Sequence, residues 1–309
     1  MKAFVLAAGF GTRMMPFTEH LPKPLVPVLN VPSLFYTFAL LKNAGITQII
    51  CNIHHHAEVI RRAVEVMYFT DLQIVFSEEN PILGTGGGLK KCESLIGDDD
   101  FLIVNSDIIS DINLRALIET HRRSGCGGTL SLHETPQASQ IGHIGVRDGR
   151  VLDFGNRRTT GLSSSFIYTG TAVLSPAIFR HLRAEYSGIV ETGFYGLVEN
   201  EGLAFFEHMG LWQDIGTLHN FYRANIDDNL HILQLAERMN RSIDLFPHMI
   251  SERVSISAGA HIVDSVAGEC CSVASGAIVE RSVLLPGTVI ESDEVLRNTI
   301  AAPGIRIPL

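Results

Sequence analysis

The chain has 309 residues, of which 46% are hydrophobic and 18% are charged, and its formal net charge is −9. These fractions are typical of a soluble globular protein that is long enough for a substantial core and for one or two domains. The negative charge argues against a general binder of nucleic acid or of anionic membranes, and we expect neither partner. No apolar stretch reaches membrane-spanning length, and the N-terminal run lacks a signal-peptide pattern. Five cysteines without framework spacing indicate reduced thiols and a cytoplasmic location.

The N-terminal region carries the most informative pattern. A short apolar run, 3–8, predicts a buried strand and is followed by Gly-Phe-Gly-Thr-Arg at 9–13. Two glycines two positions apart allow a tight turn with uncovered backbone N–H groups, and Arg13 adds a fork of donors, so both suit a phosphate. Lys23 lies between two prolines, which stiffen its backbone. The third glycine of the dinucleotide fingerprint and the Gly-Lys-Ser/Thr of a P-loop are missing, so the pattern predicts a polyphosphate site of another type.

The segments up to residue 76 predict strand, helix, strand, helix and strand, which argues for a parallel α/β sheet. A loop and a glycine run at 84–88 follow, and the next helix is predicted over 89–95. The glycines would allow a flat ligand to approach the backbone, with a flexible hinge as the alternative. A fourth apolar strand, 101–107, ends in Asp107, which places a carboxylate at the ligand edge of the sheet. Beside phosphates such an oxygen ligand implies Mg²⁺, whereas capping of the next turn is the alternative.

Three segments together resemble a known family. Residues 6–13 and 22–24 match the pattern L-A-A-G-x-G-T-R … P-K-P, and residues 211–217 contain W-x-D-I-G-T. The first three-quarters of the chain thus resembles the sugar-1-phosphate nucleotidylyltransferases. The resemblance implies a Rossmann-like, mixed, mostly parallel sheet (the nucleotide-diphospho-sugar transferase fold). It also implies Mg²⁺-dependent transfer of a nucleotidyl group from an NTP to a sugar 1-phosphate, with release of pyrophosphate.

The same resemblance assigns roles to individual residues. Arg13 and Lys23 are the predicted catalytic cations, and Asp107 and Asp214 are the predicted metal ligands. The predicted nucleotide-binding positions are Leu6, Ala7, Ala8, Gly9, Gly11, Thr12, Glu78, Gly84 and Thr85, of which the resemblance implies that the last three face the nucleobase. The predicted sugar-binding positions are Gly145, Thr169, Gly170 and Glu191. The Glu-Lys-Pro that places a lysine on the sugar phosphate in many relatives is missing, and Arg157 and Arg158 stand in that region instead. One of these arginines is a candidate for binding the phosphate, with a solvated loop as the alternative.

The C-terminal region follows a six-residue period. Every sixth position is aliphatic or small, and the positions are Val254, Ala260, Val266, Ser272, Ile278, Leu284, Ile290 and Leu296. This period predicts a β-helix with these side chains inside. The region resembles hexapeptide-repeat proteins, which implies that the β-helix is short and left-handed. We therefore expect a catalytic domain at 1–226, a linker helix at 227–250 and the β-helix at 251–309. One helix, predicted over 218–239, closes the catalytic domain and begins the linker. A structural or homo-oligomerising role is predicted for the tail, with an acyltransferase as the alternative.

The sequence leaves the substrates open. The Thr-Gly-Gly-Gly run is most similar to the N-acetylmuramate-1-phosphate uridylyltransferase branch, and the preceding Leu-Gly also occurs in mannose-1-phosphate guanylyltransferases. UTP with N-acetylmuramate 1-phosphate and GTP with mannose or heptose 1-phosphate are both compatible, and glucose 1-phosphate is not excluded. A non-catalytic subunit that binds a nucleotide sugar is a further alternative. The presence of both cations and both aspartates favours an enzyme.

Overall fold

The computed structural model describes residues 1–67, 69, 71–239 and 246–309. Their contacts divide into two compact units. The first unit contains residues 1–10 and 40–212, and the second contains residues 11–39 and 213–309. This division differs from the predicted boundaries at 226 and 250, which stay predictions. Part of the predicted linker helix, 240–245, lies outside the described residues.

The first unit is built on a nine-stranded sheet. In chain order its strands are β1 Ala3–Leu6, β2 Gln48–Ile53, β3 Gln73–Glu78, β4 Phe101–Asn105, β5 Gly128–Glu134, β6 Ile144–Arg147, β7 Arg150–Phe154, β8 Phe166–Leu174 and β9 Leu203–His208. Their order across the sheet is β3-β2-β1-β4-β8-β5-β9-β7-β6. The first four of these strands are parallel, whereas β8 runs antiparallel to both of its neighbours. The predicted mixed, mostly parallel sheet is confirmed.

Helices and short helical turns connect these strands. They are Ala57–Val66, Gly84–Lys91, Glu93–Ile96, Leu114–Ser124, Ala138–Ile141 and Tyr195–Asn200, the 3₁₀ helix Pro176–Arg180 and the π-helix Val190–Phe194. Phe4, Phe101 and Phe194 are fully buried in one apolar cluster of this unit. The helix Leu114–Ser124 shows how the local sequence sets its ends. The Asn113 side chain accepts a hydrogen bond from the Ala116 amide at 3.1 Å, and Gly125 follows in the left-handed region with φ of 62°.

The glycine run lies inside a helix, which corrects the predicted start at residue 89. The helix Gly84–Lys91 begins at the first glycine. A Cβ atom on Gly87 would lie 2.2 Å from the Glu185 carbonyl oxygen, and one on Gly88 would lie 2.2 Å from Glu79 Oε1. Glycine is a poor helix former, so a pattern based on propensity places the helix too late. Here neighbouring groups approach the helix so closely that only glycine fits, and this packing outweighs the low helix propensity of glycine.

The second unit contains two longer helices, Leu218–Ile226 and Asn229–Met239, where one helix was predicted. Its N-terminal part contains the 3₁₀ helices Thr12–Met14, Phe17–Glu19 and Lys23–Leu25 and the paired strands Pro27–Val28 and Val31–Pro32. The helix Ser33–Asn43 and the strand Trp212–Asp214 each contain residues of both units, and the strand Ile108–Ser110 belongs to the first unit. Among the described residues, no helix is long and apolar enough to cross a membrane.

The C-terminal part of the second unit is a coil of short parallel strands closed by an antiparallel pair. Its strands are Ser255–Ile256, His261–Val263, Val266–Ala267, Ser272–Val273, Ile278–Glu280, Val283–Leu284, Val289–Ile290, Val295–Arg297, Thr299–Ala302 and Ile305–Pro308. Ser255 pairs with Ser272, and Ser272 pairs with Val289. The register therefore advances by 17 residues for each coil. The predicted β-helix is confirmed.

The 17-residue coil corrects the predicted inner positions. A strict period of six requires 18 residues for each three-sided coil, so the predicted row moves out of register. Leu284, Ile290 and Leu296 lie in the inner cluster, and the half-buried Val254 and Ala260 pack against it, as predicted. Ser272 and Ile278 are only half-buried and Val266 is buried, but all three lie outside that cluster. Their neighbours in the same strands, Val273, Val279 and Ala267, belong to it.

One outer face of the coil is also buried. Val266, Val283 and Ile300 occupy successive positions of one sheet and are at most 2% exposed. The strand Val283–Leu284 contacts the helix Leu218–Ile226, where the Tyr222 hydroxyl donates to the Arg281 carbonyl oxygen at 2.8 Å. The β-helix and this helix therefore share an apolar interface within the second unit.

Candidate active site

The carboxyl ends of β1 and β4 are joined in the first unit. The amide and the hydroxyl of Ser106 both donate to the Leu6 carbonyl oxygen, at 3.1 and 2.7 Å. Asp107 is the next residue, two positions beyond the end of β4, and it is half-buried. Within the part of the chain that the structure describes, a Cβ atom on Gly9 would meet no atom within 4 Å. The predicted loop after β1 therefore has open space around it, at the edge of the sheet where ligands bind in such folds.

The segment predicted to face the nucleobase is fixed to a neighbouring loop of the first unit. Gly84 has φ of +70°, and a Cβ atom there would lie 2.6 Å from the Ser187 carbonyl oxygen. The Gly86 amide donates to that same oxygen at 2.8 Å. The Thr85 hydroxyl accepts a hydrogen bond from the Ile189 amide at 2.9 Å. The start of this helix is thus held in place, and its nucleotide-binding role stays a prediction.

Glu78, the other residue predicted in this segment, points to a cation. Its carboxylate accepts a hydrogen bond from Arg61 Nη2 at 3.0 Å, and about half of the side chain is exposed. The Arg61 guanidinium also lies 5.1 Å from the centre of the Phe76 ring. A nucleotide that contacts Glu78 would therefore compete with an ion pair at the surface.

Two of the predicted sugar-binding residues lie in a bulge of β8. Thr169 is fully buried, its hydroxyl donates to the Ser131 carbonyl oxygen at 3.0 Å, and its own carbonyl accepts from the Trp212 indole at 3.0 Å. Gly170 has φ of +82°, and a Cβ atom there would lie 2.8 Å from Asn105 Nδ2. Only glycine fits this conformation and this contact without strain. The bulge therefore brings β8 close to the end of β4, which precedes Asp107.

A buried carboxylate organises the arginine loop, which joins β7 to β8, contains Arg157 and Arg158 and stands in the region of the missing Glu-Lys-Pro. Asp153 is fully buried and accepts hydrogen bonds from the Thr160 hydroxyl at 2.8 Å and the Tyr195 hydroxyl at 2.9 Å. It also accepts from the Arg158 amide at 3.1 Å and the Phe154 amide at 2.8 Å. Burial alone would raise the pKa of Asp153, but these hydrogen bonds outweigh it and hold the pKa at about 2.

The two arginines of that loop have different surroundings. The Arg158 guanidinium lies 4.0 Å from the centre of the Tyr195 ring and pairs with Glu199 at 2.5 Å. Arg157 instead forms an ion pair with Glu191, a predicted sugar-binding residue in the π-helix. Single π-helical turns are frequent at functional sites. The structure thus brings together one candidate phosphate cation and one candidate sugar ligand. The fourth predicted sugar residue, Gly145, packs against the same loop, since a Cβ atom there would lie 3.0 Å from Leu162 Cβ.

In the second unit, three of the predicted charged residues meet around Gly216. A Cβ atom on Gly216 would lie 2.8 Å from Arg13 Nη2, 2.8 Å from Asp214 Oδ1 and 3.0 Å from Lys23 Nζ. The Gly216 amide donates to Asp214 Oδ1 at 2.6 Å, which fixes the carboxylate. Pro22 precedes the lysine with φ of −60° and extended backbone. Two donors suited to phosphate and one carboxylate therefore share a single small site.

The turn that carries Arg13 requires a glycine. Gly11 has φ of 69° and precedes the 3₁₀ helix Thr12–Met14, whose Met14 amide donates to the Gly11 carbonyl oxygen at 2.9 Å. The Thr18 hydroxyl donates to the same oxygen at 2.8 Å. A Cβ atom on Gly11 would lie 2.9 Å from Thr18 Cγ2 and 3.2 Å from Lys23 Cβ. The turn therefore places the arginine and the lysine on one short, closely packed segment.

The predicted metal ligands are compatible with Mg²⁺ in their chemistry. Asp107 and Asp214 offer carboxylate oxygens, and Mg²⁺ is usually held by one or two carboxylates together with substrate phosphates. Among the described residues, no group of three or more His, Cys, Asp or Glu side chains is arranged to hold a metal ion by itself. A bound ion would thus need further ligand atoms, such as oxygen atoms of the substrate or of water.

Comparison with known families agrees with this fold. The model of the family described as nucleotidyl transferase matches residues 2–230, and the model described as GlmU-like, C-terminal hexapeptide matches residues 235–309. The chain therefore belongs to the nucleotidyl transferase family and carries a hexapeptide-repeat C-terminal region.

Particular relatives are named as mannose-1-phosphate guanyltransferases. The one from Aspergillus fumigatus is 30% identical over 272 residues, which cover 85% of this chain and 73% of the relative. The one from Debaryomyces hansenii is 29% identical over 322 residues, which cover 99% of this chain and 87% of the relative.

Solved structures share the fold. UDP-glucose pyrophosphorylase from Acinetobacter baumanii superposes with a TM-score of 0.65 at 18% identity, over 78% of this chain and 98% of the other. HddC from Yersinia pseudotuberculosis, complexed with GMP-PN, has a TM-score of 0.61 at 24% identity, over 72% of this chain and 97% of the other. At these identities the likeness concerns the fold alone.

The structure also identifies residues that the sequence patterns missed. Asn52 and Glu79 form a buried hydrogen bond of 2.7 Å beside the loop after β1, and Asp153 and Tyr195 form another of 2.9 Å beside the arginine loop. For Asn52, Glu79 and Asp153 the available signal was a polar residue close to the end of a strand, whereas Tyr195 begins the helix Tyr195–Asn200. That signal does not show which distant residue is its partner.

Proposed function

We propose that the protein transfers a nucleotidyl group from a nucleoside triphosphate to a sugar 1-phosphate and releases pyrophosphate. The observation that supports this most is the site around Gly216, where Arg13, Lys23 and Asp214 meet. Membership of the nucleotidyl transferase family agrees with such a reaction. The relatives named as mannose-1-phosphate guanyltransferases make GTP and mannose 1-phosphate the first pair to test. UTP with N-acetylmuramate 1-phosphate is the second.

The chemistry explains why the proposed catalytic groups are cations and include no general base. A sugar 1-phosphate oxygen attacks the α-phosphorus, the bond from that phosphorus to the bridging oxygen of the β-phosphate breaks, and pyrophosphate leaves. The nucleophile is already an anion, so it needs no general base. The main barrier is the approach of two anions, which positioning and charge neutralisation lower.

Each proposed residue has a defined part in this reaction. The backbone N–H groups of residues 9–12 and the Arg13 guanidinium would hold the triphosphate. Lys23 would neutralise the α-phosphate or the incoming sugar phosphate. Asp107 and Asp214 would hold Mg²⁺, which when bound supplies positive charge to the phosphate oxygens. Arg157 is the proposed partner of the sugar phosphate in place of the family lysine, and Glu191 would hold it in position.

A matrix of nucleoside triphosphates against sugar 1-phosphates, read by pyrophosphate release, tests the reaction. We expect one pair to exceed the others by at least about tenfold in kcat/KM, because a pocket that pairs its polar groups with one base rejects others strongly. Absence of pyrophosphate release with every pair would refute the proposed reaction. If the protein still bound a nucleotide sugar, a non-catalytic binding subunit would be favoured instead.

The variant Asp107→Asn tests the metal assignment. This change preserves the shape of the side chain but removes its charge, so we expect Mg²⁺-dependent turnover to be lost while the melting temperature stays near that of the wild type. Substantial Mg²⁺-dependent pyrophosphate release by this variant would contradict the assignment.

We also propose that the enzyme is cytoplasmic and that its β-helix serves structure and self-association. Deletion of the residues after Ser251 should change the oligomeric state in light scattering. An unchanged oligomer would count against the self-association.

A further inference from the structure

A buried carboxyl group outside the proposed catalytic set lies directly after β3. Glu79 is 1% exposed, although it follows the surface residue Glu78. Its Oε2 accepts the Leu83 amide at 2.7 Å, and its Oε1 accepts Asn52 Nδ2 at 2.7 Å. Gly88 leaves the space for this carboxyl group, since a Cβ atom there would lie 2.2 Å from Glu79 Oε1.

Asn52 extends this contact to the loop after β1. It is 2% exposed, and its Oδ1 accepts the Ala7 amide at 2.8 Å. A continuous chain of hydrogen bonds therefore leads from Ala7 through Asn52 and Glu79 to Leu83. One end, Ala7, lies two residues before Gly9 in the loop after β1. The other end, Leu83, is the N-cap residue of the helix Gly84–Lys91.

The direction of every hydrogen bond in this chain is fixed by its two ends. Both ends are backbone N–H groups, which can only donate. Asn52 must therefore present its oxygen to Ala7 and its NH₂ group to Glu79, and Glu79 must accept on both oxygens. A buried carboxylate carries a desolvation cost that apolar side chains would avoid. That cost favours a role in setting geometry over a role in stability alone.

We propose that Glu79 and Asn52 are positioning residues for the nucleotide. They fix the loop after β1, to which the proposed function assigns the phosphates, relative to the start of the helix Gly84–Lys91, where the predicted nucleotide-binding positions Gly84 and Thr85 lie. Neither side chain needs to touch the substrate. The inference rests on the proposed function and adds the residues that align the two halves of its nucleotide site.

A pair of complementary substitutions tests the direction of the chain. In Glu79→Gln the new NH₂ group must face either the Leu83 amide or the Asn52 amide group. If Asn52 rotates to accept it, Asn52 presents its own NH₂ group to the Ala7 amide, so one donor always faces another. In Asn52→Asp two carboxylates face each other. The double variant Asn52→Asp with Glu79→Gln restores every donor and acceptor with the charge moved by one residue.

Steady-state kinetics of the four proteins give the first readout. We expect each single variant to raise KM for the nucleoside triphosphate by about tenfold or more, with KM for the sugar 1-phosphate within about twofold. The double variant should return to within about threefold of the wild type. A purely structural role would lower the melting temperature and the active fraction without separating the two KM values. Unchanged nucleotide KM in the single variants, or no recovery in the double variant, would overturn the proposal.

Hydrogen exchange gives a second readout that needs no turnover. Glu79→Gln should speed exchange of the Ala7 amide by about tenfold, although Glu79 does not bond to Ala7, and the double variant should restore its protection. Glu93→Gln, which removes a surface ion pair with Lys90 at 2.7 Å, is the matched control and should change neither readout. If the wild type turned over no substrate pair, the proposed function would fail, and exchange would still test the link. If Glu79→Gln left the exchange rate of the Ala7 amide unchanged, the link between Glu79 and the loop after β1 would be refuted.

Discussion

Substitution of Gly216 by alanine should separate the placement of charge from the stability of the fold. The added Cβ atom would lie 2.8 Å from Arg13 Nη2, 2.8 Å from Asp214 Oδ1 and 3.0 Å from Lys23 Nζ, whereas ordinary contact begins at 3.4 Å. Gly216 does not have a positive φ, so alanine fits its backbone. All three groups are the ends of side chains, and we expect each of them to move by about 0.5 Å, with the Asp214 carboxylate straining its hydrogen bond to the Gly216 amide, instead of disturbing the backbone.

A shift of this size is large for catalysis and small for folding. Misplacement of a reacting or positioning group by about 1 Å can reduce turnover by about 100-fold, so we expect Gly216→Ala to lower kcat/KM by about 10- to 100-fold. The free energy of unfolding should fall by less than about 1 kcal/mol, which corresponds to a melting temperature lowered by less than about 3 °C. Pyrophosphate release and thermal unfolding of the same preparations measure the two effects.

The variant Gly149→Ala is the opposite control. Gly149 lies in the turn between β6 and β7 with φ of +74° and open space around its Cβ position. Alanine there should cost about 1 kcal/mol through the left-handed backbone and leave kcat/KM unchanged. Wild-type turnover by Gly216→Ala would refute the reasoning. It would also be refuted if the two variants lost activity only in proportion to their loss of stability.

Three further predictions concern the arginine loop and the β-helix. The pKa of Asp153 is lowered in the folded state, so its contribution to stability is present above about pH 4 and is lost as the pH falls towards about 2. Asp153→Asn should therefore be less stable than the wild type at pH 7, and urea unfolding should show this difference shrinking at pH 3. Arg157→Gln should raise KM for the sugar 1-phosphate by about tenfold, whereas Arg158→Gln, which loses its contact with the Tyr195 ring, should mainly lower the melting temperature. Tyr222→Phe should lower the free energy of unfolding by about 1 kcal/mol in chemical denaturation, because its hydroxyl bonds to the β-helix.

The sequence predicted the elements whose signals are local. The apolar run before Gly9 and the proline-flanked Lys23 need only a few neighbouring residues to be recognised, and both match the structure. Asn52 and Glu79 were missed because their contact depends on the sheet. Parallel pairing of β2 with β3 places Asn52 opposite Ser77, and only this register brings the asparagine near the residues that follow β3.

The repeat of the C-terminal region was recognised although its register was wrong. Each coil places more than one side chain of a short strand region inside, as Ala277 and Val279 show. An aliphatic residue therefore occurs near every sixth position whether the coil has 17 or 18 residues. The sequence pattern indicates the architecture, but the backbone pairing decides which aliphatic faces inward.

The site around Gly216 also suggests how a protein with a negative net charge can attract a polyphosphate. With a net charge of −9, the protein as a whole would repel a polyphosphate, so attraction must come from cations held close together. Arg13 and Lys23 repel each other when they share a site of this size, and the Asp214 carboxylate offsets that repulsion before the substrate arrives. Loss of the Asp214 charge should therefore displace both cations as well as remove a proposed metal ligand. We therefore expect the Asp214 carboxylate to be required for the placement of Arg13 and Lys23.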